Sequence, residues 1–351
     1  MVDLDAVTRG NRLALARLLT EVENQTPAGE QALDRLFARA GKAHLVGITG
    51  APGTGKSSLV SCLAKNIRVA QKQTVAIVAV DPSSPFTGGA ILGDRVRMRE
   101  LAGDPGVFIR SMASRGELGG LASATAGVVQ VLDAAGFDFI LIETVGAGQS
   151  EVDIACLAYT TLVVESPGLG DDIQAIKAGI LEIADILVVN KSDLPGAENT
   201  ARALRANLDL GYRLHMNHDG AHRMTIKENE VKNTTAWTPP IIQTIATQHN
   251  GIDEVIAEIL RHREYLIDTG LREKREQDRL RSEVYHLLQT GLVKRWQQLT
   301  PPQVFDRLLQ QVFARELSPR AAIDSLLNGS YNQKRGFPRS LLRKIVRLKD
   351  E

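Results

Sequence analysis

The stretch Gly50-Ala51-Pro52-Gly53-Thr54-Gly55-Lys56-Ser57 reads GxxxxGK[ST], and its surroundings constrain the fold as much as its letters do. A short apolar run, 45–49, leads into it, and a segment with helical spacing, 57–69, leaves it. A strand that turns through glycines into a helix returns to its sheet beyond that helix, so its partner strand lies parallel. The chain repeats this arrangement. Apolar, β-branched runs stand at 74–80, 137–142, 161–164, 186–189 and 241–245, separated by segments long enough for helices. Runs this continuously apolar belong to strands buried on both faces. The expectation is an α/β fold, with a doubly wound, mostly parallel sheet in a phosphate-loop domain from about 43 to 263.

The flanks have a different texture. In 1–42, Leu13, Leu15, Leu18, Leu19 and Val22 make an apolar helical stripe, and Leu33, Leu36 and Phe37 begin another. Thr26-Pro27-Ala28-Gly29 reads as a turn between them, which makes an N-terminal helical extension. From 264 to 351 strand signals stop. Leu280, Val284, Leu287, Leu288 and Leu292 mark one helix, and Val304, Leu308, Leu309, Val312 and Phe313 mark another after Pro301-Pro302. Ser318-Pro319 reads as an N-cap and first helical position. The tail 334–349 is basic, and 205–238 is polar and reads as an inserted surface segment. Two glycine-rich charged stretches, 81–98 and 110–121, read as mobile loops.

Composition removes several classes. Lys and Arg number 42 against 41 Asp and Glu, a net charge of +1, so neither nucleic acid nor a membrane surface is expected as a partner. The two cysteines, Cys62 and Cys156, lie in different segments and form no CxxC, so neither a disulfide framework nor a Cys-rich zinc site is expected, which fits a reducing cytoplasm. No apolar run approaches the roughly 20 residues of a membrane span. Asp3 and Asp5 stand where a signal peptide would be basic, so a cytoplasmic chain with its start intact is expected.

The chemistry follows from three groups of residues. Glycines let backbone N–H groups turn inward around phosphate oxygens, and the following helix adds its positive end. The expected phosphate set is Gly50, Ala51, Pro52, Gly53, Thr54, Gly55, Lys56, Ser57 and Ser58. Lys56 supplies charge at the β/γ-phosphates, and the Ser57 hydroxyl reaches Mg²⁺. Asn190-Lys191-Ser192-Asp193 spells NKxD after the run 186–189. The Asp193 carboxylate can accept from guanine N1–H and N2–H₂, a donor pair that adenine lacks. An unpaired buried charge costs several kcal/mol, so this residue selects GTP and GDP over ATP. Ile245-Ala246-Thr247 is the third base-contact segment, where Ser-Ala is more usual; Ile245 keeps the backbone contact and removes a hydroxyl.

The third group is acidic. Asp81 follows the run 74–80, Asp94 lies in Gly93-Asp94-Arg95, and Glu143 ends the run 137–142. Strand C-termini face the ligand crevice of open α/β sheets, so Asp81, Asp94 and Glu143 join Ser57 as candidate Mg²⁺ ligands. Glu143-x-x-Gly146 is a DxxG pattern with Glu for Asp, and the Gly146 N–H can sense a γ-phosphate. Ala147 follows where a water-positioning Gln would stand, so slow unaided hydrolysis is expected. Gln149, Gln174 and Lys177 are candidates to complete a catalytic group with Lys56 and Glu143.

Long matches beyond these motifs carry a family resemblance. They run through Val46-Gly47-Ile48-Thr49-Gly50, Asp81-Pro82-Ser83-Ser84-Pro85-Phe86-Thr87-Gly88-Gly89 and Arg110-Ser111-Met112-Ala113-Ser114-Arg115-Gly116. They continue in Glu143-Thr144-Val145-Gly146-Ala147-Gly148-Gln149-Ser150-Glu151 and Asp171-Asp172-Ile173-Gln174-Ala175-Ile176-Lys177. The chain resembles the MeaB/ArgK/MMAA family of G-protein chaperones, within the SIMIBI class of P-loop proteins. The resemblance covers about 9–265 closely and the helices to about 329 more loosely. It implies a homodimeric GTPase that serves an adenosylcobalamin-dependent acyl-CoA mutase of the methylmalonyl-CoA type, gating cofactor loading and protecting or reactivating the enzyme. It also implies Mg²⁺ near Ser57, Asp81, Asp94 and Glu143, a third switch at Gln174 and Lys177 that orders with the mutase, and a dimerisation arm in the C-terminal helices. The segment 211–235 and the basic tail depart from the family pattern.

Other readings rest on fewer residues. His215, His218 and His222 give HxxHxxxH, which raises a nickel- or zinc-delivery GTPase of the same class; a solvated polar segment is the plainer reading of those histidines. A protein kinase is disfavoured, because the chain has no HRD or DFG constellation. The basic tail reads more simply as a solvated helix face than as a site for RNA or an acidic partner.

Overall fold

The computed structural model describes residues 3–82, 98–101, 103–114, 120–144, 150–168, 181–218 and 237–328. Its first three helices are each set by a side-chain cap. Asp3 precedes α1 (Leu4–Thr8) and accepts the Ala6 N–H, and Asn11 precedes α2 (Arg12–Glu23) and accepts the Ala14 N–H. Thr26 precedes α3 (Pro27–Leu36), with Pro27 in the first turn and the Gly29 N–H on its hydroxyl at 3.1 Å. Thr26 to Gly29 is thus the start of a helix and not a turn between two, because proline's missing N–H costs nothing at that position. Leu15, Leu18, Leu19 and Val22 are buried as the stripe requires, whereas Leu13 is exposed. Leu13 lies two residues, about 200°, from Leu15 on the helix.

Strands and helices then alternate: β1 (His44–Thr49), α4 (Lys56–Ala70), β2 (Val75–Pro82), β3 (Val107–Ser114), α5 (Gly120–Ala134), β4 (Phe139–Thr144), α6 (Ser150–Leu157), β5 (Thr160–Glu165), β6 (Ile186–Asn190), α7 (Ala197–His218), β7 (Ile241–Thr244) and α8 (Ile252–Asp268). The seven strands form one sheet in the order β3-β2-β4-β1-β5-β6-β7, and every pairing is parallel. Successive positions of a strand feed opposite faces. Leu45, Ile140 and Ile142 join α2, α3, α5 and α6 on one side, while Val46, Ile48, Phe139 and Leu141 join α4 and α8 on the other. All six residues of β1 and of β4 are buried, which is why these runs read as continuously apolar.

Two local expectations change. The stretch 110–121 is not a loop throughout. Arg110 to Ser114 belong to β3, an edge strand paired with β2 from Val75↔Val107 to Pro82↔Ser114, and Leu121 lies in α5. Asp81 likewise belongs to β2. The polar segment 205–238 begins as helix, since α7 continues to His218. Residues 83–97, 115–119 and 219–236, His222 among them, lie outside the described residues, as does the basic tail from 329.

Residues Met1–Glu283 form one compact unit and Val284–Glu351 a second. Helix α9 (Leu271–Leu299) begins in the first and continues into the second, which also holds α10 (Pro302–Phe313) and α11 (Pro319–Asn328). Ser318 caps α11 through the Ala321 N–H, as its sequence predicts. The core of the second unit is small: Leu308, Ala322 and Leu326 pack with Trp296, Val304, Val312 and Leu317. Val284, Leu287, Leu288 and Leu309 stay exposed there, and Phe313 is 90% exposed. Among the described residues no helix is long and apolar enough to cross a membrane.

Candidate functional site

The sequence-predicted residues meet at the C-terminal ends of β1, β4 and β6, the edge where ligands of open α/β sheets bind. β1 ends at Thr49 and the chain enters its glycine loop. Gly50 has φ 140°, and a Cβ there would lie 2.1 Å from the Val164 carbonyl oxygen of β5. Gly55 precedes α4 with φ 91°, and a Cβ there would lie 2.5 Å from the Asn190 amide nitrogen. Only glycine fits either place. The loop is therefore pressed against β5 and β6, and its backbone is left to line the edge.

Lys56, buried, folds back so that its Nζ donates to the carbonyls of Gly50 at 2.8 Å and Ala51 at 2.9 Å. Its ammonium thus lies within the loop that is expected to cradle phosphate. One residue on, the Ser57 hydroxyl donates to Glu143 Oε1 at 2.7 Å, joining the first turn of α4 to the end of β4. Both side chains are buried. Ser58 follows in α4, and Asp81 is the penultimate residue of β2, two positions beyond Ala79, the residue in register with Glu143. A buried hydroxyl against a buried carboxylate, beside a cradle that a Cβ would fill, is a hard-oxygen donor set that fits Mg²⁺ on a nucleotide phosphate. Among the described residues no group of three or more His, Cys, Asp or Glu is placed to hold a metal by itself. Asp94, Gly146, Gln149, Gln174 and Lys177 lie outside the described residues.

The base-reading residues are tied to the same loop. Asn190, buried at the end of β6, donates from Nδ2 to the Thr54 carbonyl at 2.8 Å. Its Oδ1 accepts the Thr244 hydroxyl and the Ala246 N–H, both at 3.1 Å. Lys191, at φ 58°, donates from Nζ to the Gly53 carbonyl at 2.7 Å. Ser192 N–H donates to the Thr244 carbonyl at 3.0 Å just beyond β6, and the exposed Asp193 follows it. One asparagine therefore holds the phosphate loop, β6 and the segment from Ile245 to Thr247 in one piece. Sequence reasoning passed over two members of this group, Thr244 and Cys62. The Cys62 thiol donates from α4 to the Ala246 carbonyl at 3.0 Å. Neither sits in a motif; Thr244 is set apart by its contacts with Asn190 and Ser192, which no local pattern reports.

The opposite edge of the sheet also buries polar groups, but pairs them with one another. Thr160 Oγ1 lies 2.9 Å from His44 Nε2 and 2.9 Å from His262 Nδ1. Asp185, just before β6, accepts both terminal nitrogens of Arg275 at 2.8 and 2.9 Å and the Thr161 N–H at 2.8 Å, and lies 3.4 Å from His262 Nε2. Burial holds His44 down to about 3 and His262 to about 4, with nearby arginines adding to both and Asp185 opposing at His262. Arg279 grips Glu276, which accepts the Tyr159 hydroxyl; burial first and Glu276 second push that hydroxyl's pKa well up.

Comparison with known proteins gives the family and the fold. The family model described as methylmalonyl-CoA mutase-associated GTPase MeaB matches residues 15–300. A putative GTPase of Pyrococcus horikoshii is 42% identical over 324 residues, 92% of this chain and 96% of that protein. GTPase ArgK of Escherichia coli is 33% identical over 326 residues, 91% and 92% of the two. The crystal structure of a LAO/AO transport system kinase superposes with a TM-score of 0.62 over 92% of this chain and 94% of that one; at 24% identity it bears on the fold alone.

Proposed function

The chain belongs to the family of methylmalonyl-CoA mutase-associated GTPases named MeaB and is a guanine-nucleotide-binding GTP hydrolase, and on that premise we propose that it serves an adenosylcobalamin-dependent acyl-CoA mutase as a GTP-driven chaperone. The observation that carries the nucleotide half is the bridge made by Asn190 between Thr54 of the phosphate loop and Ala246 of the base segment. The mutase half is supported by the family match over residues 15–300.

In this reading the loop from Gly50 to Ser58 cradles the phosphates, and Lys56 exchanges its two carbonyl partners for phosphate oxygens. Ser57, Glu143, Asp81 and Asp94 would hold Mg²⁺, which would supply positive charge against the nucleotide phosphates. Asp193 accepts the guanine N1–H and N2–H₂ while Asn190 and Lys191 keep base and phosphate segments in register. Ala147 gives no amide to orient water, so hydrolysis awaits Gln174 and Lys177, the segment proposed to order against the mutase. GTP then acts as a timer whose state is passed to the mutase, gating cofactor loading and protecting or reactivating the enzyme.

The second unit takes a second copy of the chain in this account. Its support is the run of exposed apolar side chains at helical spacing, Val284, Leu287, Leu288, Leu309 and Phe313, in helices that bury only a small core. Light scattering is expected to give the mass of a dimer, and Leu288→Glu that of a monomer. No observation among the described residues favours nickel or zinc delivery.

The test is steady-state GTP hydrolysis with and without purified adenosylcobalamin-dependent methylmalonyl-CoA mutase from the same source. Slow turnover alone and clear acceleration with the mutase are expected. Fast turnover that ignores the mutase would leave the GTPase and remove this client.

A further inference from the structure

Cys62 lies outside every motif, yet it touches the base segment. It sits on α4, two turns beyond the glycine loop, buried among Leu59, Leu63, Ile252, Val255 and Ala246. Its thiol donates to the Ala246 carbonyl, which also accepts the His249 N–H at 3.2 Å. Burial raises the Cys62 pKa, which keeps the sulfur protonated and therefore a donor. Ala246 is thus held at both of its peptide groups: its N–H by Asn190 from β6, its carbonyl by Cys62 from α4. The peptide unit is planar and trans, so fixing the Ala246 carbonyl fixes the direction of the Thr247 N–H on its other side. Thr247 is exposed, as is Asp193, whose neighbour Ser192 donates its N–H to the Thr244 carbonyl three residues before Thr247. The usual serine hydroxyl of this segment is missing at Ile245, and the neighbouring helix supplies a hold instead.

We propose that Cys62 is a positioning residue for guanine recognition, setting the backbone of the segment Ile245–Ala246–Thr247 to donate to the guanine O6. The proposal rests on the reading of this edge as the guanine site. A loosened segment costs affinity only for bases that offer an acceptor at O6. Phosphate contacts, which this reading gives to the glycine loop from Gly50 to Ser58, are expected to be unaffected.

The test is the affinity of the full chain with Mg²⁺ for GDP, IDP and the diphosphate of 2-aminopurine riboside, which lacks the O6 acceptor. Cys62→Ala and Cys62→Val both remove the donor, the second while filling the volume. Each is expected to weaken GDP and IDP about five-fold, the size of one neutral hydrogen bond, and to leave the 2-aminopurine nucleotide unchanged. Cys62→Ser, which keeps a donor, is expected to recover most of the loss. Unchanged GDP affinity in both donor-less variants would overturn the proposal, as would an equal loss for all three nucleotides, which marks general damage to the core. Wild-type protein that binds the 2-aminopurine nucleotide as tightly as GDP, with Asp193→Asn neutral, would overturn the guanine site itself and this proposal with it.

Discussion

The two edges of the sheet bury similar chemistry and use it differently. At the edge where β1, β4 and β6 begin, Thr160 bridges His44 and His262, and Asp185 pairs with Arg275. At the edge where the same strands end, Lys56, Asn190 and Lys191 each donate to backbone carbonyls of a glycine loop. A charge that rests on its own backbone can change partners when an anion arrives. A charge locked in a side-chain pair cannot do so without leaving the other member buried and alone. Burial of a charged group therefore does not by itself mark a site; what the group is bonded to separates a binding edge from a structural one.

Substitutions at the two edges should separate activity from stability. The largest effect is expected for Lys56→Ala, which removes the charge that meets the phosphates. GTP hydrolysis should fall by at least about 100-fold, with the thermal midpoint little changed, measured by turnover and circular dichroism on one preparation. A large loss of stability here would erase the contrast. Asp185→Asn is the converse. It breaks the pair with Arg275, which is 36% exposed, so the cost should fall below the 3–5 kcal/mol of a fully buried pair, at about 2–3 kcal/mol in urea unfolding. Nucleotide affinity should stay as it was; a lost affinity would join the two edges functionally.

A smaller effect is expected from pH. His44 and His262 have folded pKa values near 3 and 4, below the 6.5 of an unfolded histidine, so between those limits the unfolded chain binds more protons. Their contribution is complete above pH 6.5 and is lost as pH falls toward 4, by roughly 2 kcal/mol at most from each at pH 5. Thermal midpoints between pH 7 and 5 should fall accordingly, and His262→Gln should flatten part of the slope. A flat profile in the parent protein would contradict the buried neutral pair.

These edges differed in how far the sequence announced them. The binding edge is written in contiguous letters, Gly50 to Ser57 and Asn190 to Asp193, because a loop that cradles phosphate and a turn that presents a carboxylate are local devices. The strands that flank it are also legible, since burial on both faces leaves only apolar residues. Strand β3 was not. As an edge strand it carries Arg110, which pairs with Glu23 and Thr20 of α2 some 90 residues away, and no local pattern reports that. The structural edge is illegible for the same reason: Asp185 and Arg275 meet across 90 residues, and His44 and Thr160 across 116. Thr26-Pro27 was misread because a proline after a polar residue marks a turn and a helix start equally well.

The most direct measurement is the base preference of Asp193→Asn. The expected result is that kcat/KM for GTP falls by about 100-fold or more, while xanthosine triphosphate, whose C2 carbonyl can accept from the new amide, becomes the better substrate. An Asp193→Asn protein that still prefers GTP as strongly as the parent would contradict the assignment of this edge as the guanine site.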